Sequence, residues 1–268
     1  ADTETDPEHI RLQLELMAAK PGFAQLRATS EFLVTWDDHD FGTNDGGADY
    51  PLREESQVIH TDFWQLSDKI PAGQQGVYYA QTLLSETGKR VQVILLDGRY
   101  HRGNPRKRKA DVLGEAQWAW LEQQLQQPAD LRLLVNGYQF LLQRPNRWEA
   151  WIKVGNSRKR LFDLMKTAQG DAPMLFLSGD QHYVEVLESA RKVPYRTYEI
   201  MAAGINQTER PGLARNRVAG PDLTLHNAPI LDIYWSEDPY LLFRNVEVPG
   251  GQVTLEYRIR LADIGWRP

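Results

Sequence analysis

Apolar positions along the chain switch between two periods. Between Pro7 and Lys20, Ile10, Leu14, Met17 and Ala18 recur at helical spacing, and Leu12 and Leu16 widen the apolar face. Asp6-Pro7 supplies an N-cap and a first-turn proline, and Pro21-Gly22 ends the segment. Glu31 to Trp36 reads as a short buried strand running into a polar loop, Asp37 to Tyr50. A second helix is predicted from Pro51 to Leu66. Two strands, Val77–Thr82 and Arg90–Leu96, flank a turn at Gly88. Helices are predicted over Leu113–Gln127, stopped by Pro128, and over Asn156–Ala168. The continuous apolar runs Leu131–Val135 and Met174–Leu177 have the texture of parallel strands buried on both faces. Beyond Asp180 the pattern is mostly β: Tyr183–Leu187, Tyr195–Ala202, Ile230–Trp235, Tyr240–Asn245 and Gln252–Arg260, with Gly/Pro-rich loops between them. Alternating α and β followed by a β-rich end predicts one layered α/β domain over residues 1–268.

Composition narrows the class. The chain has 268 residues, 41% hydrophobic and 25% charged, which excludes disordered, collagen-like and coiled-coil chains. With 31 basic against 36 acidic residues the net charge is −5, which argues against a general nucleic-acid binder. No apolar run approaches the roughly 20 residues a membrane span needs. The polar start, Ala1 to Asp6, is not a signal peptide, and a cleaved one is left open. With no cysteine, disulfides and thiolate metal sites are both excluded.

Three polar clusters directly follow apolar runs. They are Asp37-Asp38-His39-Asp40-Phe41-Gly42-Thr43-Asn44-Asp45 after Trp36, Asp97-Gly98-Arg99-Tyr100-His101-Arg102 after Leu96, and Ser178-Gly179-Asp180-Gln181-His182-Tyr183 after Leu177. Ligand sites of open α/β sheets lie beyond the carboxyl ends of the strands, so these three clusters are expected to meet. From Asp37 to Glu55 there are seven acids against one base, Arg53. Packed carboxylates repel unless protonated or neutralised by cations. Asp, Asn and His are oxygen and nitrogen ligands for hard or borderline metals. An isolated run of this kind is also ordinary turn chemistry. The third cluster, with Asp180-Gln181-His182, tips the reading toward a metal site.

These clusters, with Leu113-Gly114-Glu115-Ala116-Gln117-Trp118-Ala119-Trp120-Leu121 and Ala1-Asp2-Thr3, resemble the signatures of the PhoD-like alkaline phosphatases, in the calcineurin-like metallophosphoesterase superfamily. The resemblance spans nearly the whole chain. It implies a four-layer αββα sandwich and a metal-dependent hydrolase of phosphate monoesters or diesters. It implies a centre of two or more divalent or trivalent ions, with Fe, Ca, Mn and Zn all open. Asp38, Asp180 and His182 match metal-ligand positions, and Asn44 is a weaker candidate. His39 matches a phosphate-contacting residue and proton donor. Arg99 is expected to hold a phosphate oxygen through its fork of donors. Tyr183 and His101 are candidates for substrate contact. The implied substrate is a small-molecule phosphate ester. The implied location is secreted or periplasmic, with a cytoplasmic one left open.

The sequence also departs from that family. Its first strand and a Gly-Asp-Asn-x-Tyr motif have no counterpart in these residues, so two strands and two ligands are expected to be missing. The resulting gap would be filled by an N-terminal fragment, a second copy of the chain or rearranged segments of its own. Gly98, Asn136-Gly137-Tyr138, Asn146 and Ile152-Lys153-Val154-Gly155-Asn156 all differ from the family pattern near the expected pocket. That concentration supports an alternative: a remodelled or inactive homologue acting in binding.

Other features are less informative. Arg106-Lys107-Arg108-Lys109 reads as a solvated basic loop, and Trp118, Trp120, Trp148 and Trp151 as core rather than a sugar site. His60 and His226 read as structural or exposed. No Gly-x-Ser-x-Gly, Walker or dinucleotide-binding pattern occurs.

Overall fold

The computed structural model describes residues 6–107, 109–143, 149–170, 172–191, 193–205 and 207–265. Of the sequence features above, Ala1–Thr3, Arg108, Asn146 and Trp148 lie outside the described residues.

The helices are α1 (Pro7–Ala18), α2 (Phe23–Thr29), α3 (Asp38–Phe41), α4 (Arg53–Trp64), α5 (Gly114–Leu125) and α6 (Gly155–Met165). The strands are β1 (Tyr79–Leu84), β2 (Arg90–Leu95), β3 (Leu131–Val135), β4 (Met174–Ser178), β5 (Val184–Ser189), β6 (Thr197–Ala202), β7 (Arg217–Asp222), β8 (Asn227–Tyr234), β9 (Tyr240–Glu247) and β10 (Val253–Arg260). A seven-stranded mixed sheet has the order β1-β2-β3-β4-β6-β5-β7, and a three-stranded antiparallel sheet the order β10-β9-β8.

The patterning explains the layers. β2, β3 and β4 are parallel neighbours, Val93 facing Leu133 and Leu133 facing Leu175 in register. Successive side chains point to opposite faces. Ile94, Leu96, Leu134 and Phe176 therefore pack with Trp118, Leu121 and Leu125 of α5 and Leu161, Phe162 and Met165 of α6. Val93, Leu95, Leu133 and Leu175 pack on the other side with Leu241 and Phe243 of β9 and Ile259 of β10. Each such fully buried side chain contributes about 1.5–3 kcal/mol relative to an exposed one. The molecule is an α/β sandwich: a layer of helices, the large sheet and the small sheet. At its side, Ile10 and Leu14 of α1 meet Ile59 of α4 in a satellite cluster.

Two sequence expectations need correction. Glu31–Trp36 joins no ladder among the described residues. It is an extended segment fixed by side chains instead: Val34 N donates to Tyr79 Oη and Thr35 Oγ1 to the Leu96 carbonyl, both at 2.8 Å. Strand β7 was not anticipated. It lies at the sheet margin, alternating half-buried and exposed positions and carrying Pro221, so its apolar signal is weak.

Each sheet is an unbroken series of hydrogen-bonded neighbours among the described residues, without an internal gap. Strands β1, β7, β8 and β10 are the margins, each with one neighbour.

Candidate metal and phosphate site

The parallel register brings three strand ends to one edge. Leu96 N donates to the Val135 carbonyl at 2.9 Å, Asn136 N to Leu177 at 3.1 Å and Gly179 N to Gly137 at 2.8 Å. The loops after β2, β3 and β4 thus leave the sheet side by side. The polar loop after Trp36 packs against them through Asp37 and α3.

The loop after β2 turns on Asp97. Its Oδ1 accepts from Arg99 N at 2.7 Å and from Tyr100 N at 2.9 Å, while its Oδ2 accepts from Val77 N at 2.9 Å. Gln117 of α5 grips the same residue, accepting from Asp97 N at 2.9 Å and donating to its carbonyl at 3.0 Å. This double anchoring aims Arg99 inward. Arg99 is 0% exposed, its Nε donates to Asp37 Oδ1 at 2.8 Å, and its Nη2 lies 2.6 Å from Glu149 Oε2. Arg102 pairs with the other Glu149 oxygen and donates to the Asp45 carbonyl at 2.7 Å. Tyr138 lies beneath, its ring centroid 4.8 Å from the Arg99 guanidinium carbon and 5.8 Å from that of Arg102. Burial works against the Arg99 charge, but Asp37 and Glu149 more than offset it and hold its pKa well above the ordinary value.

Asp37, Asp38 and Asp180 each bring a carboxylate oxygen within 4.8 Å of the others. Asp38 also groups with Asp45 and Glu149 within the same distance. Two backbone donors fix Asp38: His39 N to Oδ1 at 2.9 Å and Asp45 N to Oδ2 at 3.0 Å. Burial, with the charge of Asp38 adding and Arg99 opposing, raises Asp180 to about 7. Burial also raises Asp37 well above the carboxylate range, against the pull of Arg99 and with the charges of Asp180 and Asp38 adding.

The backbone is unusual here. Asp45, Asp180 and His182 have φ of 55°, 77° and 55°, the left-handed region that non-glycine residues seldom occupy. Such conformations concentrate where a loop is over-determined by function. Gly137 fits the same picture, because a Cβ there would overlap the Asp37 carboxylate.

Of the residues expected from sequence, Asp38 and Asp180 come together, with Asp37 as a third partner. His182 follows in the strained turn, outside that group, and its Nδ1 is buried with no hydrogen-bond partner. Asn44 and His39 are exposed, on the loop and on α3, while Asp38, next to His39 in sequence, is buried. Arg99, expected on a phosphate oxygen, has its donors on Asp37 and Glu149 and is 0% exposed. Tyr183 is buried, its hydroxyl facing Glu185, Arg217 and the Gly212 backbone rather than the carboxylates. His101 rests against Gly114 at the start of α5, its ring tilted by 59° to that of Tyr100 with centroids 5.0 Å apart. His60 is a buried core residue beside Trp36, and burial lowers its pKa to about 3. Glu149 was missed, since one glutamate far from the acidic loop carries no local signal. So was the role of Asp37, one acid among seven.

No family model matches the chain, and no curated protein matches it. Among solved structures, PhoD matches with a TM-score of 0.62 at 13% identity. The chain has the PhoD fold. The match covers 98% of this chain and 59% of PhoD, so these residues span somewhat more than half of that protein's length. A 5'-nucleotidase from Candida albicans matches over 56% of the chain and 28% of its own, at 14% identity and a TM-score of 0.30. A hypothetical protein from Thermus thermophilus also scores 0.30, at 12% identity over 95% of this chain and 94% of its own. Scores that low carry no argument.

Proposed function

We propose that this chain is a metal-dependent hydrolase of small-molecule phosphate esters, a phosphomonoesterase or phosphodiesterase acting outside the cytoplasm. The observation that carries the reading is the Asp37-Asp38-Asp180 carboxylate group at the strand-end edge of a PhoD fold. Its chemistry fits a hard cation. Three oxygen donors share one small space, where burial and then the charge of Asp38 raise Asp180 to about 7, and a cation there would offset both.

Asp37, Asp38 and Asp180 would hold the metal, divalent or trivalent, with His182 and Asn44 as flanking donors. Metal ions in such a site polarise the phosphoryl group and lower the pKa of an attacking water. The chain's own residues prepare the site. Backbone donors from His39 and Asp45 lock the Asp38 rotamer. Arg99 holds Asp37 from behind, and Glu149 holds Arg99. His39, exposed next to Asp38, is assigned the proton for the departing alcohol. Arg99 becomes a positioning residue instead of a phosphate contact.

A second reading, a binding homologue without turnover, is favoured by one observation: the arginine expected on phosphate is closed between two carboxylates. Turnover of p-nitrophenyl phosphate and bis-p-nitrophenyl phosphate separates the two, with Mn, Zn, Ca and Fe supplied in turn. The hydrolase reading expects metal-stimulated release of nitrophenol that Asp38→Asn abolishes. Phosphate binding without turnover under every metal would establish the second reading.

A further inference from the structure

A cleft of about 660 Å³ lies beside α6, on the helical side of the large sheet, and shares no residue with the carboxylate site. Ligand cavities are commonly about 300–1,000 Å³, apolar with a few placed polar groups. This one has Ile152 and Phe162 as its apolar lining and Arg158, Lys159, Lys166 and Arg191 around them.

The charges do not cancel. Lys159 and Lys166 share one carboxylate, Asp163, at 2.5 and 2.7 Å. Arg158 and Arg191 have no carboxylate within salt-bridge range among the described residues. The cleft therefore carries a local surplus of positive charge in a chain whose net charge is −5. Arg158 is the more telling of the two. Among the described residues it donates to the neutral carbonyls of Leu141 and Leu142, each at 3.2 Å. Its Nε is buried without a partner, and its guanidinium carbon sits 5.3 Å from the Phe162 ring centroid. Burial lowers its pKa to about 10, and the charge of Glu199 offsets that only in part. Native proteins pair buried charges, so an arginine without an ion pair among the described residues, beside an apolar surface, has the chemistry to take up an anion.

We propose that this cleft is a second binding site, for a small organic anion whose apolar body lies against Ile152 and Phe162 and whose carboxylate or phosphate head faces Arg158 and Arg191.

The test uses a fluorescent probe of that chemistry, 1-anilinonaphthalene-8-sulfonate, titrated into the whole chain. Saturable binding at one site is expected. Arg191→Glu combined with Lys166→Glu, both at exposed positions, should weaken it at least tenfold without moving the melting temperature. Lys107→Glu combined with Lys109→Glu, on the distant basic loop, should leave it unchanged. Displacement of the probe by naphthoate would assign a carboxylate head group, and displacement by inorganic phosphate a phosphate one. Displacement by neither overturns the proposal, as does equal probe affinity in the Arg191/Lys166 variant and the parent chain.

Discussion

Arg99 Nε donates to Asp37 Oδ1 at 2.8 Å across 62 residues of sequence, from a guanidinium with no exposed surface. The pair joins the acidic loop to the end of β2. Glu149 on the far side of the guanidinium, only 3% exposed, completes a buried carboxylate–arginine–carboxylate arrangement. Removing Glu149 leaves Arg102 without a carboxylate partner among the described residues and Arg99 with one of its two.

Glu149→Gln should therefore lower stability by about 3 kcal/mol, within the range for breaking a buried ion pair. The fold should survive, because Arg99 keeps Asp37. Urea unfolding followed by tryptophan fluorescence measures this. An unchanged midpoint would mean that Arg102 and Arg99 are satisfied without Glu149.

Gly137→Ala places a methyl group where the Asp37 carboxylate now lies. Asp37 must swing away and the three-carboxylate group opens. Phosphoesterase turnover should fall by about 10²-fold, the scale of a 1 Å misplacement in a catalytic constellation. Steady-state kinetics on p-nitrophenyl phosphate provide the check, and full activity would remove Asp37 from the site.

Glu199 gives a pH dependence separate from the site chemistry. Burial raises it from 4.5 to about 7, although Ser178 Oγ and the backbone N–H groups of Leu141 and Phe140 donate to it. In the unfolded chain it ionises near 4.5. Between about pH 4.5 and 7 the folded state thus binds more protons than the unfolded one, and stability falls as pH rises through that window. The full difference is about 3 kcal/mol at neutral pH and above. Glu199→Gln should flatten the slope between pH 5 and 7 in chemical denaturation. An equal slope in both proteins would assign the dependence to another group.

Much of the fold was legible because its strands announce themselves. β2, β3 and β4 are buried on both faces and read as continuous apolar runs. α1 reads from Ile10 and Leu14 together with the Asp6 cap, whose side chain accepts from Glu8 N at 2.8 Å. β7 did not, because a marginal strand with alternating exposure has half the apolar signal. In the site, Asp38 and Asp180 stood out in the sequence because each lies in a polar cluster after an apolar run, and the structure brings their carboxylates together. What stayed hidden were long-range pairings. A buried Arg99 held by Asp37 and Glu149 has the same local sequence as one facing a phosphate. The left-handed backbone at Asp180 and His182 likewise has no signature in residue type beyond the tolerance of Asp and His for it.

Metal content of Asp180→Asn decides whether the three carboxylates hold a cation. The purified parent chain and the variant are dialysed against equal Mn and Zn and analysed by inductively coupled plasma mass spectrometry, with thermal melts in chelator alongside. Asp180 shares its space with Asp37 and Asp38, and burial, with the charge of Asp38 adding, raises it to about 7. The account predicts metal retained by the parent chain and lost from Asp180→Asn, with the chelated variant melting at or above the chelated parent because one repelling charge is gone. Equal metal in both proteins, or none in either, would contradict it.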